Sequence, residues 1–189
     1  MDVTLVTTNP GKLREVREIL APFHAAVSAL RRKLPEPQTS SLREVARSKL
    51  EAVSEVPGWV LVEDSGLFIR SLGGFPGVYS AYIYGIWGLD PLLELLRDRP
   101  RDAVFRTVAG LRYGTRTWYR LGECRGTIAR SRRGTGGFGF DPIFVPEGKR
   151  RTFGEMTAAE KASVSHRARA MRSVGKLLVR ETRSRARPD

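Results

Sequence analysis

Apolar residues recur along this chain in two rhythms, each predicting a different element. Val3-Thr4-Leu5-Val6-Thr7 is a short, β-branched run of strand length, whereas from Gly11 to Leu20 the spacing puts Leu13, Val16, Ile19 and Leu20 on one helical face. A second strand fits Ala25 to Leu30. Leu34-Pro35-Glu36-Pro37-Gln38 is an extended linker, because each proline fixes its own φ and disfavours helix at the residue before it. Ser41-Leu42-Arg43-Glu44 has the form of a capping box and opens a helix to about Val56, with Leu42, Val45, Ala46, Leu50 and Val53 inward. Trp59 to Glu63 shows no polar alternation before its acids, which predicts a strand covered on both faces, and Leu67-Phe68-Ile69 is expected to return as another. Asp90-Pro91 starts a short helix ending near Arg97, with the aspartate as cap and proline first. Ala103 to Tyr113 and Thr117 to Arg130 form a long hairpin turned at Tyr113-Gly114-Thr115, followed by a short strand at Pro142-Ile143-Phe144-Val145. Thr157-Ala158-Ala159-Glu160 is a second capping box, with helix signal continuing to about Thr182. The expected class is α/β, an elongated mixed β-sheet flanked by helices.

Length and charge narrow the picture. The 189 residues suit one domain over 1–189, with no internal repeat or linker and a basic tail from about 180. Lys and Arg number 33 against 20 Asp and Glu, a formal charge of +13 that favours anionic partners such as nucleotides, nucleic acid or acidic membranes. Part of that surplus, Arg180, Arg183, Arg185 and Arg187, crowds what reads as a solvated, frayed end, while Arg130, Arg132 and Arg133 precede a glycine-rich loop. No apolar run approaches the roughly 18 residues of a membrane span, and Met1-Asp2-Val3-Thr4 lacks the start of a signal peptide. The single cysteine, Cys124, forms no intrachain disulfide and anchors no zinc alone, so a reducing cytoplasm is expected.

Candidate chemistry gathers in four blocks. Glu63-Asp64-Ser65-Gly66 sets two carboxylates at an expected strand end, a donor pair suited to Mg²⁺; the alternative is an acidic cap on a solvated turn. Thr7-Thr8-Asn9-Pro10-Gly11-Lys12, between first strand and first helix, offers amides, helix N-terminal potential and one full charge to an anion, without being a Walker A loop. A plain strand-to-helix turn explains it equally well. Gly134-Thr135-Gly136-Gly137-Phe138-Gly139-Phe140-Asp141 breaks regular structure and offers Phe138 and Phe140 as a stacking face, with a tight hairpin beside core aromatics as the alternative. Lys161 and Ser165-His166-Arg167 supply donors, but five helical residues turn roughly 500°, so Lys161 and His166 meet one ligand only if the helix breaks, with Ser165 a natural second N-cap. One amphipathic helix with its basic residues outward is the alternative. Read alone, Glu36 is a solvated linker carboxylate, Lys49 a surface lysine, and His24 has no role.

In their order and spacing, these blocks closely resemble the inosine triphosphate pyrophosphatase family, over most of the chain. Thr152-Phe153-Gly154-Glu155-Met156 and Ser165-His166-Arg167-Ala168-Arg169-Ala170 complete the match. The resemblance implies Mg²⁺-dependent hydrolysis of non-standard purine nucleoside triphosphates (ITP, dITP, XTP) to monophosphate and pyrophosphate, which keeps them out of nucleic acids. It also implies a cytoplasmic homodimer with two lobes around a central nucleotide cleft, and no stable nucleic-acid or membrane partner. By position, Thr7, Thr8, Asn9, Pro10, Gly11 and Lys12 would cradle the triphosphate, with Lys12 and Lys49 as clamps. Asp64 would be catalytic and hold the metal with Glu36, and Ser65 would touch substrate. Phe138, Gly139, Phe140, Asp141, Lys161, His166 and Arg167 would enclose base and sugar. The chain departs from many bacterial members at Glu63, where they have Asp, and at Tyr82, where they often have Arg, and its Phe140 replaces the usual Tyr or Trp. A Maf-like pyrophosphatase for modified or pyrimidine nucleotides is the nearest rival, and a non-catalytic RNA-binding protein the rival from another class.

Overall fold

The computed structural model describes residues 1–185. Its elements in order are β1 (Asp2–Val6), α1 (Pro10–Leu20), β2 (Ala26–Leu30), α2 (Leu42–Glu51), β3 (Trp59–Ile69), β4 (Pro76–Gly77), α3 (Ser80–Trp87), α4 (Asp90–Leu95), β5 (Asp102–Tyr113), β6 (Arg116–Ile128), β7 (Phe144–Pro146), α5 (Ala158–Val164) and α6 (His166–Arg185). They build the expected mixed sheet, seven strands ordered β2-β1-β3-β5-β6-β7 with β4 also on β3. β1 runs parallel to β2 and β3, and the remaining pairings are antiparallel. Among the described residues no helix is long and apolar enough to cross a membrane.

The main correction concerns β3. Leu67-Phe68-Ile69 is not a returning strand but the end of one 11-residue strand, paired with β5 without interruption from Trp59 opposite Tyr113 to Ile69 opposite Ala103. Glu63 and Asp64 therefore sit mid-strand, not at a strand end. Pairing along a whole partner outweighs the local turn signal of Ser65-Gly66. The consequence is chemical: with a period of two, Glu63 and Ser65 face one side of the sheet and Asp64 the other.

That alternation sets a polar gap into an apolar face. On the Glu63 side, Trp59 and Leu61 join Val3, Leu5, Val16, Met171 and Val174 in a core under α1 and α6. Farther along the same face, Leu67 and Ile69 join Leu92, Phe105, Phe144 and Phe153 in a second core. Glu63 and Ser65, with Thr107 opposite Ser65 on β5, lie between the two. The reverse face carries Val60, Val62 and Val108 under Ala46 and Leu50 of α2.

The sheet is also notched. β1 pairs with β3 only as far as Leu5 opposite Leu61, and β4 rejoins β3 at Leu67. Since β5 covers the other edge throughout, the edge from Val62 to Gly66 has no strand neighbour among the described residues, and the Thr7–Lys12 turn leaves β1 at this point.

Several boundaries shift for identifiable reasons. α2 stops at Glu51 and continues to Val56 only as turns, and Ser41 caps it from Oγ to the Glu44 amide while the Glu44 carboxylate turns to the Thr39 hydroxyl, so the box stays half-closed. Leu89, not Asp90, precedes α4, and the Asp90 carboxylate pairs with Arg132. The expected strand at Pro142 begins instead at Phe144, after a 3₁₀ turn over Asp141–Ile143, since proline has no N–H for a ladder. The Thr157 box closes reciprocally with Glu160. α3 had no sequence forecast, because Ser80-Ala81-Tyr82-Ile83-Tyr84-Gly85-Ile86-Trp87 lacks polar periodicity; it leaves Tyr82 67% and Ile86 60% exposed. The expected frayed tail is helical through Arg185, with Glu181 buried and paired to Arg116, while Arg187 lies outside the described residues.

Gly122 decides where α6 begins. It lies opposite Thr107, and a Cβ there would meet the His166 carbonyl oxygen at 2.0 Å and the Ala170 amide nitrogen at 2.5 Å. Only a bare strand position lets the first turn of α6 rest over the polar gap. Gly122→Ala should therefore destabilise the fold by about 1–3 kcal/mol, read as a lower urea midpoint; an unchanged midpoint would mean that α6 shifts without strain.

Candidate functional site

Asn9 caps α1, its Oδ1 accepting from the Lys12 amide at 3.1 Å, while the Thr7 hydroxyl accepts from the Asn9 amide at 3.1 Å. Pro10 takes the first helical position, where no amide hydrogen is needed. Thr8 and Pro10 are exposed, and Gly11 is buried against the Phe138 ring, which a Cβ would meet at 2.6 Å. This turn thus does two things: it stays open to solvent and it seats the loop aromatic.

From here a chain of alternating charge crosses the polar gap. Lys12 Nζ lies 2.5 Å from Glu63 Oε1, and Glu63 Oε2 lies 3.5 Å from Arg167 Nε. Arg167 Nη1 donates to Glu15 Oε2 at 2.6 Å, and Lys161 Nζ to Glu15 Oε1 at 2.7 Å and Asp141 Oδ2 at 2.6 Å. The same Asp141 oxygen accepts from the Phe138 amide at 2.7 Å, tying the glycine-rich loop to the chain. The helix does break at Ser165, whose ψ of 154° is extended and whose Oγ accepts from the Ala168 amide, so Lys161 and Arg167 converge on one carboxylate.

The aromatic side chains divide. Phe138 lies under two cations, with Lys161 Nζ 4.8 Å and Arg167 Cζ 5.2 Å from its ring centre. Phe140 is buried and meets Tyr84 edge-on at 5.6 Å, so it is a wall of the second core more than an open stacking face. His166 stacks on Phe105 at 4.5 Å and 9°. A cavity of about 310 Å³ lies among Lys12, Ser65, Tyr84, Phe138, Phe140, His166 and Arg167, with Asn9, Gly139 and Asp141 also on its lining. Two buried side-chain atoms on this lining, His166 Nδ1 and Arg167 Nε, have no hydrogen-bond partner among the described residues.

Asp64, Lys49 and Glu36 form a second cluster on the other face. Lys49 Nζ lies 2.6 Å from Asp64 Oδ1 and 2.7 Å from Glu36 Oε1. Lys49 is buried in α2, not the surface lysine its isolated reading suggested. Asp64 does not line the cavity; Lys12, at the notch, acts electrostatically on both Asp64 and Glu63. Glu63 is committed to Lys12, Arg167 and Ser65. Among the described residues no group of three His, Cys, Asp or Glu is arranged to hold a metal. Two carboxylates focused on one cationic point are nonetheless a donor set that fits Mg²⁺, which takes one or two carboxylates and completes its shell with water and phosphate.

Burial and charge set the protonation states. Burial works to raise the Glu63 and Glu15 carboxyls, but Arg167, with Lys12 or Lys161, outweighs it and holds both below the ordinary glutamate range. Burial raises Asp64 above the ordinary aspartate range, against the pull of Lys49 and Lys12. For Lys49, burial works downward, yet Asp64 and Glu36 hold the ammonium above its usual value. Burial, helped by Arg167 and Lys161, keeps His166 neutral well below the ordinary histidine range.

Sequence reasoning missed Glu15 and Thr107. Glu15 was legible in principle, three residues after Lys12 and four before Ile19, hence on the inward face of α1. Thr107 carried only a weak sign, one hydroxyl in an apolar run.

Comparison with known proteins shows the family and the fold. Residues 3–177 match the model of the Ham1 family. The chain belongs to the Ham1 family. It is 42% identical over 175 residues to a dITP/XTP pyrophosphatase of Pyrococcus horikoshii (92% of this chain, 94% of that one) and 45% identical over 174 to one of Thermococcus kodakarensis (91% and 94%). A solved Ham1 protein of Staphylococcus aureus, 27% identical, superposes with a TM-score of 0.81 over 96% of this chain and 100% of its own. The Ham1 fold is therefore that of the mixed sheet described above, and the motif resemblance identified the right family.

His166 yields a pH prediction. An unfolded histidine takes up a proton near pH 6.5 while the folded one stays neutral, so stability should be full above that pH and fall as pH drops below it. The ring protons of His166 should show no titration by NMR between about pH 6 and 8; a midpoint inside that window would contradict the buried neutral ring.

Proposed function

We propose that this chain, a nucleoside triphosphate pyrophosphatase by family, hydrolyses dITP, ITP and XTP to monophosphate and pyrophosphate, clearing them from the nucleotide pool. The reading extends to Mg²⁺ as cofactor, cytoplasmic residence and a homodimer. The observation that carries it is the notch at Val62 to Gly66, where the Thr7–Lys12 turn, a carboxylate cluster and an aromatic-cationic pocket meet at Lys12.

Each group has a task in this reading. The Thr7–Lys12 turn holds the triphosphate by helix N-terminal potential, with Lys12 on its charge. Asp64 and Glu36 would hold Mg²⁺, which when bound neutralises phosphate charge and lowers the pKa of water. Water attacks the α-phosphorus, the bond to the α–β bridging oxygen breaks, and pyrophosphate leaves. In this reading Asp64 takes the water's proton, and its burial-raised carboxyl makes it a better base than an ordinary aspartate. Lys49 and Lys12 stabilise the charge that grows on the leaving group.

Recognition of the base falls to the opposite face. Phe138 stacks, and because its own amide is spent on Asp141, the amides of Gly139 and Phe140 remain for the purine edge. With the Arg167 guanidinium they present donors to a 6-oxo group and meet the amino group of adenine unfavourably, a mismatch that hydrogen-bonding sites turn into roughly 10⁴-fold discrimination. The exposed Tyr79, Tyr82, Ile86 and Trp87 around α3 supply apolar surface of the kind subunit contacts use, which supports the dimer.

Purified protein assayed for pyrophosphate with dITP, ITP, XTP and the four standard triphosphates should favour the first three by 100-fold or more over ATP, on the order of two or three hydrogen bonds. Equal turnover of ATP and ITP would reject the specificity, and no pyrophosphate from any of them would reject the activity. Asp64→Asn should lower kcat on the order of 100-fold or more with the folded-state circular dichroism spectrum retained; near-wild-type turnover would remove Asp64 from its role. Chelation by EDTA should abolish turnover and Mg²⁺ should restore it, whereas activity persisting in EDTA would reject the cofactor.

A further inference from the structure

Thr107 is out of keeping with its neighbours. On its face of β5 it lies between Ala109 and Phe105, both buried, and is itself fully buried. Valine would fit that position with less desolvation, so the hydroxyl calls for a reason. It lies directly opposite Ser65 on β3 and opposite Gly122 on β6, under the start of α6.

Proton counting supplies the reason. Ser65 Oγ is 2.7 Å from Glu63 Oε2, 2.6 Å from the Thr107 hydroxyl and 3.3 Å from Arg167 Nη2. Glu63, paired with Lys12 and beside Arg167, is a carboxylate and only accepts. The single hydroxyl hydrogen of Ser65 therefore goes to Glu63, and the 2.6 Å contact obliges Thr107 to donate to Ser65. Arg167 donates to the remaining lone pair. Ser65 then has its hydrogen and both lone pairs in use within the protein, at the wall of the cavity.

We propose that Thr107 is a positioning residue of the nucleotide site: by donating to Ser65 it fixes the direction in which Ser65 donates, and so aims the Glu63 carboxylate between Lys12 and Arg167. The inference rests on the reading of Lys12 and Arg167 as ligand contacts on the phosphate and base sides. Without the Thr107 proton, one Ser65 lone pair is left unpaired in the buried gap, the hydroxyl is no longer held from that side, and the Glu63 carboxylate between the two cations is seated less firmly. The relay runs in one direction, from Thr107 through Ser65 to Glu63, and each step uses the only hydrogen its donor has.

Four variants test it: Thr107→Val, Thr107→Ser, Ser65→Ala and the Ser65→Ala/Thr107→Val double. With dITP, Thr107→Val should lower kcat/KM by about three- to tenfold, the range of one hydrogen bond, with most of the loss in KM. Thr107→Ser, which keeps the donor, should recover most of it. The double variant should be no worse than Ser65→Ala, since Thr107 acts only through Ser65. Wild-type kcat/KM in Thr107→Val, no recovery in Thr107→Ser, or losses that multiply in the double variant would each overturn the relay. Should wild type hydrolyse none of the triphosphates, the proposed activity falls, and urea midpoints of the same variants judge the relay: non-additive shifts support it, additive ones overturn it.

Discussion

The Glu63 carboxylate is the constraint on which the site depends. Buried in the middle of a strand, it is tolerable there only because Lys12 and Arg167 flank it. Those partners come from the starts of α1 and α6, elements more than 150 residues apart in sequence. Satisfying one charge therefore fixes two helix termini against the sheet. The same logic repeats outward: Arg167 needs Glu15, Glu15 also takes Lys161, and Lys161 holds Asp141 and with it the loop carrying Phe138.

This arrangement only works because the apolar face is interrupted on purpose. Cores lie on either side of the gap, and the residues bounding it, Leu61 and Ala109 at one end and Leu67 and Phe105 at the other, are buried. A continuous core would have closed the face, and the missing strand neighbour at Val62 to Gly66 would have been an exposed sheet edge with no purpose. Instead the notch lies between two polar clusters, Asp64 with Lys49 on one face and the charge chain on the other.

Much of this was legible in the sequence, for physical reasons that differ by element. The sheet class and the β5–β6 hairpin follow from local patterning, and the structure has them; at Ser165, where capping left a break and one continuous helix both open, the structure has the break. The error at Leu67 arose because a strand's length is set by its partner, and β5 is not visible from β3. The isolated reading of Lys49 failed similarly, since a lysine in an amphipathic helix shows its burial only through the acids it meets. Motif order identified the family where residue chemistry left alternatives open. Glu15 and Thr107 went unseen because their significance lies in partners contributed by other elements.

The two clusters have an electrostatic consequence. Across the two clusters Lys12, Lys49, Lys161 and Arg167 stand against Glu15, Glu36, Glu63, Asp64 and Asp141, so together they carry about one surplus negative charge while the molecule as a whole carries +13. A polyphosphate thus finds its long-range attraction on the arginine-rich exterior and a nearly balanced interior on arrival. Retention inside then has to come from geometry and from whatever countercharge accompanies the guest, so capture and grip are performed by different parts of the same molecule.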